Sequence, residues 1–227
     1  MKIYIRKLYN KNFPNIIFIC PSKTNESNTI SCEDSSSGYY SYYCFRRVYH
    51  KYPDFKGYLY INDDLFLKVW ELDKLNFDIP WLNQFVPLNK RWFHYSNYKH
   101  LSILFEKNIK WKLNLIEFIG YFGAIHAMSD VYYLPKYYAS KICDLFNTMY
   151  KSKVFLEYSI PNSMAILLAL KYQIIYIRPL WGKNRNSSIN FLYSESSQIT
   201  VHPIKLSNKT TKTKLIQYKD FINANEY

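Results

Sequence analysis

The amino-acid sequence predicts an α/β domain in which a mainly parallel sheet is flanked by helices. The chain has 227 residues, enough for one sizeable hydrophobic core, and 48% of them are hydrophobic. An apolar run over residues 15–20, a helix-like pattern over 38–51 and a second apolar run over 58–61 follow one another. That order of strand, helix and strand is typical of parallel strands joined by a right-handed crossover.

The rest of the chain continues the alternation after a less regular middle. Residues 70–112 are rich in tryptophan and proline, which predicts loops and short helices packed by aromatic rings. Pro135 in a first helical turn predicts the start of a long helix. The predicted elements after this point are a helix at 135–151, a strand at 154–156, a helix at 162–171 and a strand at 173–178.

No internal repeat and no clear linker interrupts the sequence. We therefore expect one domain over residues 1–208, followed by a basic polar tail at 209–227. No stretch approaches 18 consecutive apolar residues, so no transmembrane segment is predicted.

The balance of charges is strongly basic. The formal net charge is +13, from 30 Lys and Arg residues against 17 Asp and Glu residues. Such an excess attracts anions, including nucleic acid, phospholipid head groups and nucleotide phosphates. The abundance of Lys, Asn, Ile and Tyr is also what an A+T-rich genome produces, so the charge alone does not identify a partner.

The four cysteines, Cys20, Cys32, Cys44 and Cys143, form no CxxC pair and no zinc-type spacing. Reduced thiols are therefore the expectation. The N-terminus has no uninterrupted apolar core of the signal-peptide type. Without a secretion signal, the three Asn-x-Ser/Thr sequons are expected to be coincidental; they begin at Asn25, Asn186 and Asn208.

The most informative segment runs from Gly57 to Asp64, where a short apolar run ends abruptly at Asn62-Asp63-Asp64. Carboxylates at the carboxyl end of a buried strand face the crevice where open α/β sheets bind ligands. Adjacent acids repel each other, and a divalent cation relieves that repulsion. The segment predicts a metal site, with a solvated turn as the alternative, because Asn and Asp are also common in turns.

A histidine late in the chain is a second candidate. His202 has an imidazole, which in its neutral form is a good ligand for Mn²⁺-like ions. Lys205, three residues later, can neutralise phosphate. Taken alone, the His202-Pro203 pair is weak evidence, and a surface histidine is the favoured alternative.

Two further acids are candidates for roles toward a substrate. Glu157 directly follows the predicted strand at 154–156, which places it at the same sheet edge as Asp64. It can accept a proton from an attacking hydroxyl, and a structural glutamate is the alternative. Asp130 follows a segment with two glycines and can bind sugar hydroxyls. His126 in that segment is expected to be a packed side chain.

Taken in order, these segments resemble a glycosyltransferase of the GT-A type. The apolar strand that runs into Asn62-Asp63-Asp64 is similar to the Asp-x-Asp motif of that fold, with Asn in the first place. The segments are also similar to the glycosyltransferase-like domain of the STELLO proteins and its eukaryotic relatives. The phrases that carry this similarity, within about residues 13 to 207, are Gly-Tyr-Leu-Tyr-Ile-Asn-Asp-Asp, Ser-Asp-Val-Tyr-Tyr-Leu-Pro, Phe-Leu-Glu-Tyr-Ser-Ile-Pro and His-Pro-Ile-Lys-Leu-Ser.

The resemblance implies a Rossmann-like GT-A fold that is shortened at its front, because only about sixty residues precede the metal motif. In that family the last acid of the motif coordinates Mn²⁺ or Mg²⁺, and the ion bridges the diphosphate of a nucleotide sugar. Asp64 inherits this role, with Asn62 and Asp63 beside it, and His202 completes the metal shell. Asn62 stands where the family has an acid, which weakens contacts to the ribose or the metal.

The resemblance also implies a catalytic arrangement. Glu157 is similar to the catalytic base of inverting members, and Asp130 is expected to orient the sugar or the acceptor. Lys205 and Arg185 add positive charge at the diphosphate.

The expected activity is a metal-dependent transfer of sugar from a nucleotide-sugar donor to a hydroxyl of a glycan, protein or lipid acceptor. The alternative is a non-catalytic binding module, either a degenerate transferase or a basic nucleic-acid binder. Basic residues are spread along the chain without an RNA-recognition or zinc motif, so nucleic acid is not the expected partner. As given, the chain is expected in the cytoplasm; a Golgi-type location, as in many relatives, is expected if the sequence is a fragment.

Overall fold

The computed structural model describes residues 2–35, 39–119, 124–168, 174–181, 200–202 and 204. Arg185, Lys205 and the predicted tail at 209–227 lie outside the described residues. The described part is mixed α/β, which confirms the predicted class. The GT-A arrangement within that class stays a prediction.

The helices and strands alternate irregularly along the chain. The helices are α1 (Lys2–Tyr9), α2 (Ser41–Lys51), α3 (Tyr98–Lys107), α4 (Ile109–Ile119), α5 (Lys136–Lys151) and α6 (Leu156–Leu168). The strands are β1 (Phe18–Cys20), β2 (Thr29–Ser31), β3 (Gly57–Ile61), β4 (Phe66–Leu67), β5 (Trp81–Asn83), β6 (Val86–Pro87), β7 (Ile125–His126), β8 (Val131–Pro135), β9 (Ile175–Ile177), β10 (Pro179–Trp181) and β11 (Thr200–His202). Among the described residues, no helix combines the length and the apolar character needed to cross a membrane.

Packing divides the chain into two compact units. The first comprises Met1–Ile16, Ile61–Asn76 and Ile177–Tyr227, and the second comprises Ile17–Tyr60 and Phe77–Tyr176. A single catalytic domain over residues 1–208 stays a prediction.

The first unit contains a three-stranded sheet in the order β10-β11-β4. β10 and β11 are parallel, whereas β11 and β4 are antiparallel. Helix α1 ends on this sheet, because the amide of Leu67 donates a 3.0 Å hydrogen bond to the hydroxyl oxygen of buried Tyr9. Tyr9 thereby fixes β4 at the residues that follow the acidic motif.

The second unit is built around a four-stranded mixed sheet in the order β3-β8-β5-β9. β5 and β8 are antiparallel, with Trp81 opposite Tyr133. Helices α2, α5 and α6 contribute to one apolar core with this sheet. The buried hydroxyl of Tyr42 on α2 donates to the carbonyl of Val154, just before α6, at 2.8 Å.

A glycine begins the strand that leads to the acidic motif because a ring occupies the space beside it. A β-carbon at Gly57 would overlap the phenol ring of Tyr133, whose hydroxyl is held by a 2.9 Å hydrogen bond to the carbonyl of Phe77. The close approach of β3 and β8 therefore requires glycine at this position.

The predicted crossover between β1 and β3 is wrong. β1 pairs in parallel with β2, and β3 is a neighbour of β8 in a different sheet. Residues 29–31 lie in a segment rich in Ser, Asn and Thr, a composition typical of a loop. The pairing with β1 supplies the hydrogen bonds that make them a strand.

The predicted strand at 154–156 and the predicted start of the next helix at 162 are also wrong. α6 begins at Leu156, so Glu157 lies in the first turn of a helix and does not follow a strand. Val154 and Phe155 are buried in the short connection between α5 and α6, and Leu156 already belongs to α6. Such a short apolar run cannot be distinguished from a strand by its composition, because both are fully buried.

A left-handed residue ends α5 and produces this connection. Lys153 has φ 55°, a conformation that usually belongs to glycine at this position. The amide of Lys153 donates to the carbonyl of Tyr150, and the amide of Val154 donates to that of Met149. These two bonds form a Schellman motif, which satisfies carbonyls at the helix end and redirects the chain into α6.

Pro161 lies inside α6 and does not break it. Proline has no amide hydrogen, so it cannot donate to the carbonyl of Glu157 four residues earlier. The amide of Ala127, next to β7, donates to that carbonyl instead, at 3.1 Å. Because Pro161 cannot donate within the helix, the carbonyl of Glu157 is available to accept a hydrogen bond from the segment that contains Ala127.

Asn162 strengthens the same junction. Its side-chain nitrogen donates to the carbonyls of Ile125 and Tyr158 at 2.7 Å each, and its side-chain oxygen accepts from the amide of Ile125 at 3.3 Å. The side chain is fully buried. One amide group therefore satisfies both backbone polar groups of a residue in β7.

Cys32 and Cys44 form a disulfide that joins the residue after β2 to α2, so the expectation of reduced thiols is wrong for this pair. Both residues are fully buried. A bond that closes so short a loop stabilises the fold by about 3 kcal/mol, mainly by constraining the unfolded chain. Cys20 and Cys143 are free thiols.

We predict that Asn162→Ala lowers the free energy of unfolding by about 2–4 kcal/mol, because it leaves buried polar groups of Ile125 unsatisfied. Urea unfolding should show a lower midpoint with an unchanged slope. The matched control is Ser163→Ala on the same helix. The buried Ser163 hydroxyl has no hydrogen-bond partner within the described residues, so this change should be neutral or stabilising. Equal losses in both variants would contradict the assigned role of Asn162.

Candidate metal centre

The pairing of β4 with β11 brings two distant parts of the sequence together in the first unit. Val201 lies opposite Phe66 and Thr200 opposite Leu67. The contact continues past the strand ends, where the amide of Ile204 donates to the carbonyl of Asp64 at 2.6 Å. This backbone contact places the acidic motif alongside His202.

The Asp64 carboxylate and the His202 imidazole consequently lie next to each other. The Nε2 atom of His202 is 3.4 Å from Oδ2 of Asp64. The side chains are 12% and 28% exposed, respectively, so water reaches the pair from only part of its surface. The two residues that the sequence predicts as metal ligands thus lie close together, and their role as ligands stays a prediction.

Two kinds of chemistry are open to such a pair. A protonated imidazole forms an ion pair with the carboxylate, and its strength depends on pH because histidine ordinarily titrates between about pH 5 and 8. A neutral imidazole leaves both groups as ligands for one cation. Nitrogen and carboxylate oxygen donors suit Mn²⁺ and related divalent ions.

The separation of the two atoms fits a shared ion. Ligand atoms about 2.1 Å from a cation lie roughly 3.0 Å apart in an octahedral shell and roughly 3.4 Å apart in a tetrahedral one. The observed distance of 3.4 Å falls at the upper end of this range. Two protein ligands leave several positions for water and phosphate oxygens, which is usual for Mg²⁺.

The other residues of the acidic motif form a turn. The amide of Leu65 donates to the carbonyl of Asn62 at 3.2 Å. Asp63 is exposed, and Asn62 is partly buried. The alternative of a turn is thus correct for the backbone, and the same turn carries Asp64 toward His202.

Lys68 is a buried charged residue that the sequence analysis did not select. It follows β4 directly and is 1% exposed. Burial lowers the pKa of its ammonium group, and the charge of Glu71 opposes that change. Its position in the sequence could have identified it as a candidate, because Lys68 follows the apolar pair Phe66-Leu67 and lies four residues after Asp64.

Asp130 and Glu157 belong to the second unit, on two segments that are hydrogen-bonded to each other. The amide of Ala127 donates to the carbonyl of Glu157, and the hydroxyl of Ser129 donates to the carbonyls of Ala127 and Leu156 at 3.0 and 3.4 Å. These bonds fix the loop that ends at Asp130, where β8 begins. Both acids are partly buried.

The helical position of Glu157 changes the basis for its role. A carboxylate in the first turn of a helix interacts favourably with the positive end of the helix dipole, which is a structural function in itself. Glu157 does not lie at the end of a strand, which was the position that the sequence predicted for a base. The proposed role as a base is therefore supported by the resemblance and by the position of Glu157 at a helix terminus.

His126 is a packed side chain, as predicted. Its ring stacks on Trp92 with centroids 4.0 Å apart and planes 16° apart. Burial lowers the pKa of His126, so the ring is neutral at physiological pH.

No protein-family model matches this chain, and no curated protein matches it.

We predict that Asp64→Asn and His202→Gln have non-additive effects on stability in the presence of a chelator. The coupling should be about 0.5–2 kcal/mol, because residues in contact do not contribute independently to stability. A double-mutant cycle by urea unfolding measures this, and additive effects would show that the pair is not coupled.

Proposed function

We propose that the chain is a metal-dependent glycosyltransferase in which Asp64 and His202 hold Mn²⁺ or Mg²⁺ for the diphosphate of a nucleotide-sugar donor. The observation that supports this best is the 3.4 Å approach of an acid and an imidazole that are far apart in the sequence. Both residues had been selected by the order of motifs that resembles GT-A enzymes. The proposal combines that resemblance with the chemistry of the donor pair.

The bound ion would supply positive charge to the diphosphate and to the departing nucleoside diphosphate. Asn62 and Asp63 are proposed to contact the nucleotide from the same turn. Lys205 and Arg185 are proposed to add positive charge at the diphosphate.

Glu157 is proposed to take the proton of the acceptor hydroxyl as its oxygen attacks the anomeric carbon. The new bond joins that oxygen to the anomeric carbon, and the bond between this carbon and the phosphate oxygen breaks. The nucleoside diphosphate leaves with the electron pair. Asp130 is proposed to orient hydroxyl groups of the sugar or acceptor. The configuration of the sugar is inverted if a single displacement occurs.

We predict that the protein binds Mn²⁺ with the affinity of a specific site and that Asp64→Asn and His202→Gln each weaken binding at least about tenfold, since each removes one ligand. Isothermal titration with Mn²⁺ alone, then with Mn²⁺ and UDP or GDP, measures the effect. Lower pH should weaken binding in the wild type, because a proton competes for the imidazole.

Asp144→Asn is the matched control for this titration, because Asp144 is an exposed acid on α5 of the second unit. It removes the same charge as Asp64→Asn and should leave Mn²⁺ affinity unchanged. Equal affinity in the wild type and in Asp64→Asn would disprove the metal site. Equal losses in Asp64→Asn and Asp144→Asn would indicate only non-specific attraction of the cation.

We predict that transfer of sugar from a panel of UDP- and GDP-sugars falls by at least about a hundredfold in Glu157→Gln, since a general base contributes roughly 10²–10⁴-fold. Asp130→Asn should also reduce transfer, because Asp130 is proposed to orient the sugar or the acceptor. The measurement is release of nucleoside diphosphate with and without added acceptors. A protein that binds Mn²⁺ and nucleotide without turnover would be a degenerate transferase, and unchanged turnover in Glu157→Gln would remove the base from this mechanism.

A further inference from the structure

The disulfide between Cys32 and Cys44 indicates the chemical environment in which the chain folds. Both cysteines are completely buried, and the disulfide bond lies in the interior of the second unit. Buried disulfides form and persist in oxidising compartments, whereas the cytosol keeps thiols reduced. The structure thus supports folding in an oxidising compartment, independently of any feature at the ends of the sequence.

The loop immediately before this disulfide carries the sequon Asn25-Glu26-Ser27. It connects β1 to β2, and Cys32 follows β2 directly. All three residues of the sequon are exposed. An exposed Asn-x-Ser/Thr triplet in a loop is the acceptor that N-glycosylation requires in a protein of the secretory pathway.

The loop is anchored on both sides of Asn25. The amide of Glu26 donates to the hydroxyl of Thr24 at 3.3 Å, and the amide of Thr29 donates to the carbonyl of Glu26 at 3.0 Å. The Thr29 hydroxyl also donates to the Glu26 carboxylate at 3.1 Å. These contacts hold the neighbours of Asn25 against the start of β2, while the Asn25 residue itself is exposed to solvent. A glycan there displaces no buried group.

We propose that Asn25 is N-glycosylated in the same oxidising compartment in which Cys32 and Cys44 are joined. The two thiols lose two protons and two electrons to a disulfide oxidant of that compartment. The side-chain nitrogen of Asn25 attacks the anomeric carbon of a lipid-linked oligosaccharide. The bond from that carbon to the phosphate oxygen breaks, the polyprenyl diphosphate leaves with the electron pair, and the amide proton passes to the glycosylating enzyme.

This proposal does not depend on the proposed transferase activity, because its residues lie in the β1–β2 loop, directly after β2 and in α2. It reverses the expectation that the sequon is coincidental. Once the disulfide is present, the exposed sequon has the environment that its modification needs.

The first test uses the full chain behind a cleavable secretion leader, translated with microsomes. Asn186 and Asn208 are changed to Gln in every variant, so that only Asn25 reports. We expect a mobility shift that peptide N-glycosidase removes, retained in Ser27→Thr and lost in Ser27→Ala. Ser27→Thr adds one methyl group and keeps the sequon, whereas Ser27→Ala removes one hydroxyl oxygen and destroys the sequon. Absence of the shift while a control glycoprotein is modified in the same reaction would overturn the proposal.

The second test examines the protein from the cells that make it. Peptide mapping should find conversion of Asn25 to Asp after peptide N-glycosidase treatment. Alkylation in denaturant without reductant should label Cys20 and Cys143, with Cys32 and Cys44 labelled only after reduction. In the folded protein Cys143 should stay unlabelled, since it is buried and burial raises its pKa to about 12. Unmodified Asn25, or four thiols labelled without reductant, would overturn the proposal.

Discussion

The proposed function depends on the antiparallel contact between β4 and β11, because this contact brings Asp64 next to His202. The strands are short, and their pairing is extended by the hydrogen bond from Ile204 to the carbonyl of Asp64. Tyr9 adds a further constraint, since its hydroxyl holds the amide of Leu67. A backbone ladder, rather than local sequence, therefore determines which acid meets the imidazole.

The second unit places its candidate acids by a different device. Glu157 and Asp130 lie on segments joined by hydrogen bonds from Ala127 and Ser129 to the backbone at the start of α6. Buried polar groups with complete hydrogen bonding specify one arrangement, because an unsatisfied group in the core costs more than a satisfied one contributes. Asn162 serves this purpose for β7. The polar junction thus fixes the loop that ends at Asp130.

The sequence predicted those features that depend on local pattern. The apolar run before Asn62 and the proline at 135 correctly placed β3 and α5, and the order of motifs selected Asp64 and His202. The pairing of β1 with β2, the disulfide partner of Cys32 and the helical state of Glu157 could not be predicted in the same way. Each of these three features depends on a contact with a distant part of the chain, and the local sequence does not indicate that contact.

Pro161 shows how a residue can place a group four positions away. The sequence signal of proline is the end of a helix, yet here the helix continues and the carbonyl of Glu157 is tethered to a different segment. Any other residue at this position would restore an amide that competes with Ala127 for the same oxygen. Pro161, one turn further along α6, therefore helps to set the orientation of the helix terminus that carries the Glu157 carboxylate.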